Sequence, residues 1–214
     1  NNRFIEYVRL PDHAQRLKDL SNDKEIAKFA THLVYLTKAD RPSNVEKQVI
    51  DSILSRKVKR ADIYWFLHVN YTDEPYTMQY RVMELVDDKV IRVDFDLGFR
   101  VQPRINRLFK HVLEEMDACH ELEFKSKYES IQKGDFHTDI CYVLMDRFMS
   151  IENEFTFTDD LILDAYFAIK TVALSDREAF GLDPNVTIVE KVPLVLPAKR
   201  ELPLRRMPNP PPQV

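Results

Sequence analysis

Two short apolar runs on either side of a helix-forming stretch constrain this fold more than any other feature of the chain. Residues 32–37 read HLVYLT and residues 63–69 read IYWFLHV. Runs that stay apolar without alternating suit strands covered on both faces. Between them lies a turn at Asp40, Arg41 and Pro42, then Ser43 with Glu46 three residues on, a spacing that predicts a capping box opening a helix. Val45, Val49, Ile53 and Leu54 then share one helical face. A strand, a helix and a second buried strand make a βαβ unit, whose two strands must run parallel.

The next stretch has a different period. Tyr76, Met78, Tyr80 and Val82 alternate with polar residues, and after a charged turn at Asp87, Asp88 and Lys89 so do Ile91, Val93, Phe95 and Leu97. So short a connection makes the two strands antiparallel neighbours. Gly98 marks a tight exit from the second of them. Pro103 sits near the first turn of a helix, where its missing amide costs nothing, and Ile105, Leu108, Phe109, Val112, Leu113 and Met116 carry a helical period over three turns. Residues 120–137 are polar and irregular, as in a long surface excursion. The run ICYVLM (140–145) predicts a strand, Thr158 the cap of a helix reaching about Leu174, Ser175 and Glu178 a second capping box, and Gly181 a left-handed helix end. Residues 186–194 predict a last strand, in which Pro193 points to an edge position or a strand end. The expected fold is α/β (α+β): a mixed β-sheet of about six strands, with a βαβ opening, then an antiparallel hairpin, flanked by helices. Residues 1–20 are expected to be a lead-in without clear period and 21–196 one α/β domain. Residues 197–214 read as an extended tail, with six of the twelve prolines alongside Lys199, Arg200, Arg205 and Arg206.

Composition narrows the function. With 44% hydrophobic and 31% charged residues over 214 positions, the chain can bury a core without disulfides or metals. A net charge of −4 argues against a nucleic-acid partner bound across the whole surface. Cys119 and Cys141 are the only cysteines, and the opening residues have no signal-peptide pattern, so a reducing, cytoplasmic setting is expected. No run reaches the roughly 20 apolar residues of a membrane helix.

Three glycines, at 98, 134 and 181, cannot build a phosphate loop or a dinucleotide fingerprint, and no GxSxG, HExxH or CxxC occurs. Asp94 and Asp96 share a strand face about 7 Å apart, a separation that acid–base carboxylates use. Arg92 on the same face makes a solvated or interface charge ladder the plainer reading. His111, Cys119 and His120 match no zinc spacing, so no metal or other cofactor is expected. His68 reads as a hydrogen-bonded core or edge histidine. Lys57, Lys59 and Arg60 read as a solvated cluster or one facing anionic headgroups. The best candidate is GFRVQPRINR (98–107), which sets Arg100, Arg104 and Arg107 around a helix start, where an anion could dock. Arginines that are exposed or paired with nearby acids are the plainer alternative.

Four segments together are similar to the cytoplasmic C-terminal region of the KUP/HAK/KT family of potassium-uptake transporters. They are ATHLVYLTKA (30–39), KRADIYWFLHVNYTDEPYT (59–77), VIRVDFDLGFRVQPRIN (90–106) and FGLDPNVTIVEKVPL (180–194), in the family's order. The resemblance implies a multi-pass inner-membrane protein that takes up potassium, with protons, through a membrane half absent from this chain. It implies that this part is a regulatory or structural domain on the cytoplasmic face that catalyses no reaction, and that residues 1–10 follow the last membrane helix. The expected partners are the protein's own transmembrane domain and a second copy in a homodimer. Some relatives bind cyclic dinucleotides or adenine nucleotides, which makes cyclic di-AMP a candidate ligand at Arg100, Arg104 and Arg107, or across a dimer interface.

Overall fold

A computed structural model describes residues 5–86, 88–119, 139–149 and 179–194. The expected elements at 120–137, 158–174 and 175–178, and the tail from 197, lie outside the described residues.

Six strands form one mixed sheet: β2 (Lys28–Thr37), β4 (Arg60–Thr72), β5 (Met78–Val86), β6 (Val90–Gly98), β7 (Ile140–Met149) and β8 (Thr187–Leu194). Their order is β5-β6-β4-β2-β7-β8. β2 and β4 pair in parallel, as the two apolar runs require, and β5 lies antiparallel on β6. β4 also pairs in parallel with β6, and β7 in parallel with both β2 and β8. The chain therefore starts its sheet in the middle, at β2, builds outward through β4 and β6, then crosses back and builds outward on the other side through β7 and β8. The direction of winding reverses between β2 and β7. β8 is an edge strand, which tolerates the missing amide of Pro193.

Each face of the sheet has its own core. On one, Trp65 is fully buried and meets Phe109 edge-on at a centroid distance of 5.0 Å. Phe109 belongs to α3 (Ile105–Ala118), whose Ile105, Val112, Leu113 and Met116 are buried with it. On the other face Tyr64, Phe66, Leu33 and Tyr35 pack with α1 (Leu10–Asn22) and α2 (Lys47–Asp51), which runs into a π-helical turn at Ser52–Arg56. Burying one large apolar side chain in such a core contributes about 1.5–3 kcal/mol.

Two expectations need correction. Part of the lead-in is structured: β1 (Tyr7–Arg9) pairs antiparallel with β3 (Asn44–Glu46), and α1 follows directly with Pro11 in its first turn. Leu10, Ala14, Leu17 and Leu20 are buried beneath it at helical spacing. The capping box at Ser43 does not form, because residues 44–46 are taken by β3 and the helix starts at Lys47. Ser43 Oγ donates instead to the Asn44 side chain.

Gly98 and Gly181 occupy their places for separate reasons. A Cβ on Gly98 would meet the Glu74 carbonyl oxygen at 2.4 Å, so only hydrogen fits where the chain from β4 passes over. Gly181 has φ of 59°, the left-handed conformation expected of it.

Candidate functional site

Arg100, Arg104 and Arg107 all lie exposed around the head of α3. Arg100 donates to the Tyr76 hydroxyl (3.4 Å) and Arg104 to the Gln102 side chain (3.1 Å). Arg104 is the residue before the first turn of α3 and supplies no side-chain cap. The Ile105 amide, one of the donors an anion would use, already donates to the Phe180 carbonyl at 3.0 Å. The three guanidinium groups thus share one corner of the molecule, beside a helix start partly satisfied by protein.

The other cations lie where the sequence reading did not put them. Arg92 is 0% exposed. Its Nε donates to Asp94 Oδ1 at 2.7 Å, while the two terminal nitrogens donate to the carbonyls of Ala39 (2.7 Å), Asn44 (2.8 Å) and Arg41 (3.1 Å). The expected solvated ladder is instead a buried clamp that fastens the loop after β2 onto β6. Asp96 accepts from Asn70 rather than sharing a site with Asp94. Lys59 is also buried: its ammonium donates to the Ser52 carbonyl (2.7 Å) and pairs with Glu190 (2.7 Å). The Ser52 hydroxyl joins this network through Glu190 and the Tyr35 hydroxyl. Arg60 donates to the carbonyls of Ser21 and Ile26 at the end of α1. Lys59 and Arg60 therefore tie elements together and are not a solvated or headgroup-facing cluster. A cation between apolar strand residues carries no periodic signal of its own, since its partners are backbone carbonyls far away in sequence.

Of the imagined metal ligands, His111 pairs with Glu115 at 3.6 Å and Cys119 is exposed, while His120 lies outside the described residues. Among the described residues no group of three or more His, Cys, Asp or Glu could hold a metal ion. His68 is buried as expected, and its Nδ1 donates to the Thr37 carbonyl at 3.1 Å.

A crevice of about 320 Å³ lies at the carboxyl ends of the central strands. Leu36, Thr37 and Lys38 from the end of β2, Leu67 to Val69 from β4, and Leu144 and Met145 from β7 line it. Asp40, Glu46, Tyr71 and Phe180 complete the lining. Glu46, only 1% exposed, accepts from the Thr37 hydroxyl (2.5 Å) and the Lys38 amide (2.8 Å), so the wall is held from within.

The sequence model of the K+ potassium transporter C-terminal domain matches residues 30–194. The chain belongs to that family. It is 43% identical over 205 residues to the "Probable potassium transport system protein Kup" of Cytophaga hutchinsonii, a match covering 96% of this chain and 31% of the relative. A protein of the same description in Flavobacterium johnsoniae is 41% identical over 97% of this chain and 32% of its own. One in Clostridium perfringens is 32% identical over 95% of this chain and 31% of its own. The chain thus spans about a third of the length of these Kup relatives. No solved structure matches it significantly. Among the described residues no helix is long and apolar enough to cross a membrane.

Proposed function

We propose that this chain is the cytoplasmic accessory domain of a Kup-type, proton-coupled potassium-uptake transporter, stabilising or tuning uptake while catalysing no reaction itself. The observation that carries this reading is the family match over residues 30–194 in a chain that covers only 31% of relatives described as potassium transport proteins. The domain docks on its own membrane half or pairs with a second copy. A site for such contact is the corner where Tyr71, Tyr76, Met78 and Phe99 expose large apolar side chains around the start of β5. Deleting the domain from the full-length parent should lower its abundance, change its oligomeric state or abolish regulated uptake. Unchanged values for all three would overturn the proposal.

A second reading is favoured by three exposed arginines within eight positions at the head of α3. There, or across a dimer interface, an anionic nucleotide such as cyclic di-AMP would bind and inhibit transport. Titration calorimetry of the chain with cyclic di-AMP should give heat that disappears in the Arg100→Ala/Arg104→Ala/Arg107→Ala variant. No heat at millimolar ligand would remove this reading.

A further inference from the structure

The β2–β7 ladder stops early. Its last pair is Tyr35 with Val143, although β2 continues to Thr37 and β7 to Met149. Past that pair β2 stays on β4, with Thr37 opposite His68, and β7 stays on β8. The two middle strands part company at their carboxyl ends, at the place where the winding direction reverses. In open parallel sheets this is where loops diverge to opposite faces and leave a gap that ligands occupy. The crevice lined by Leu36, Leu67, Leu144 and Phe180 is that gap.

The chemistry of its lining selects a class of ligand. The floor is apolar, and the volume of about 320 Å³ suits a molecule of roughly nucleoside size. The ionisable side chains on the lining are the carboxylates of Asp40 and Glu46, the ammonium of Lys38, His68 and the phenol of Tyr71. Two carboxylates against one ammonium disfavour a phosphate. The His68 ring is held at the lining by the bond from its Nδ1 to the Thr37 carbonyl. Carboxylates accept, so the ligand must bring donors. The Arg92 clamp on the carbonyls of Ala39, Arg41 and Asn44 holds the loop carrying Asp40 in place before anything binds, which limits the entropy lost on binding.

We propose that the crevice between the carboxyl ends of β2 and β7 binds a flat, amino-bearing nitrogen heterocycle of nucleoside size, uncharged or singly protonated. The crevice adjoins the arginine corner at Phe180, whose carbonyl accepts from Ile105, but none of Arg100, Arg104 and Arg107 lines it, and the proposal goes beyond the accessory-domain reading. Deletion of the domain reads transport, whereas the experiment below reads binding by the chain, so the two can fail independently.

The test uses cytidine and adenosine, which carry an exocyclic amine, beside uridine and inosine, which lack it, and inorganic pyrophosphate as an anion control. Thermal melts and calorimetry of the 214-residue chain should show a rise in Tm of about 2 °C or more at saturating amino nucleoside. The Kd for uridine or inosine should be about tenfold weaker or more. Val69→Trp, which fills the crevice, should abolish binding. Tyr71→Ala, at a lining residue 55% exposed and so safe for folding, should weaken it several-fold. If Val69→Trp does not fold, amide shifts at Thr37, Lys38 and Leu144 of the unaltered chain on adding cytidine give the same information. Three results would each overturn the assignment: no binding of either amino nucleoside at millimolar concentration, uridine and inosine binding as tightly as cytidine and adenosine, or amide shifts confined to residues outside the crevice. Tighter binding of pyrophosphate than of any nucleoside would also overturn it, in favour of an anion site.

Discussion

The two ends of the central strands solve opposite problems with the same residue types. At the amino ends polar groups pair with one another and close the sheet. Thr31 donates to Asp139, Lys28 pairs with Asp62, and the His32 amide donates to the Asp139 carbonyl. The Trp65 indole donates to His32 Nδ1 at 3.2 Å within the sheet. At the carboxyl ends a single cation, Arg92, gathers three carbonyls and a carboxylate at one side, and a crevice stays open at the other. The difference lies in connectivity. The amino end of β4 is tied to α1 through Arg60, Asp62 and Ser21 and to β2 through Lys28 and Asp62, whereas β2 and β7 separate at the winding reversal. A closed end supplies stability, and an open end supplies a place for something else to bind.

Breaking the clamp should have the largest effect. Arg92→Ala leaves Asp94 and three carbonyls without their donor and should cost about 3–5 kcal/mol in urea unfolding. Arg92→Lys should recover less than half of that, since an ammonium lacks the planar fork. If Arg92→Ala proved neutral, the carboxyl end would not depend on the clamp. At the amino end the test is pH. Burial lowers the His32 pKa from 6.5 to about 4. The unfolded chain therefore takes up a proton first on acidification. The stability contributed by neutral His32 is complete above about pH 6.5 and lost as pH falls towards 4, on the order of 3 kcal/mol in all. His32→Gln, which cannot titrate, should flatten the urea midpoint across that window relative to the unaltered chain.

Smaller effects sharpen the contrast. Gly98→Ala drives a methyl into the Glu74 and Pro75 backbone and should cost about 1–3 kcal/mol, read as a lower Tm. Lys47→Ala removes an ion pair with Glu6 in which both side chains are exposed, and should leave Tm unchanged. A marked drop there would mean that the β1–β3 ribbon depends on surface charge rather than on its ladder.

Much of the fold was legible because the relevant signals are local. The uninterrupted apolar runs at 32–37 and 63–69 could only be central strands, the alternation over β5 and β6 could only be a hairpin, and the period from Ile105 to Met116 could only be a helix. α1 was also within reach, since Pro11 followed by Ala14, Leu17 and Leu20 carries a start signal and a period, but the charged residues between them hide it. The candidate site was legible only as a list. The helix start beside Arg100, Arg104 and Arg107 could be read from Pro103 and the period after it, yet Arg92, Lys59 and Glu46 were not recognised as interior groups.

The sequence by itself set the six strands of the main sheet, the parallel sense of β2 with β4, the antiparallel sense of β5 with β6 and the helix on one face, because period and apolar run length are properties of neighbouring residues. Only the tertiary structure decided which charges go inside and where the sheet opens. A buried arginine is stable solely when distant carbonyls converge on it. A crevice exists solely where strands far apart in the chain, β2 and β7, stop pairing.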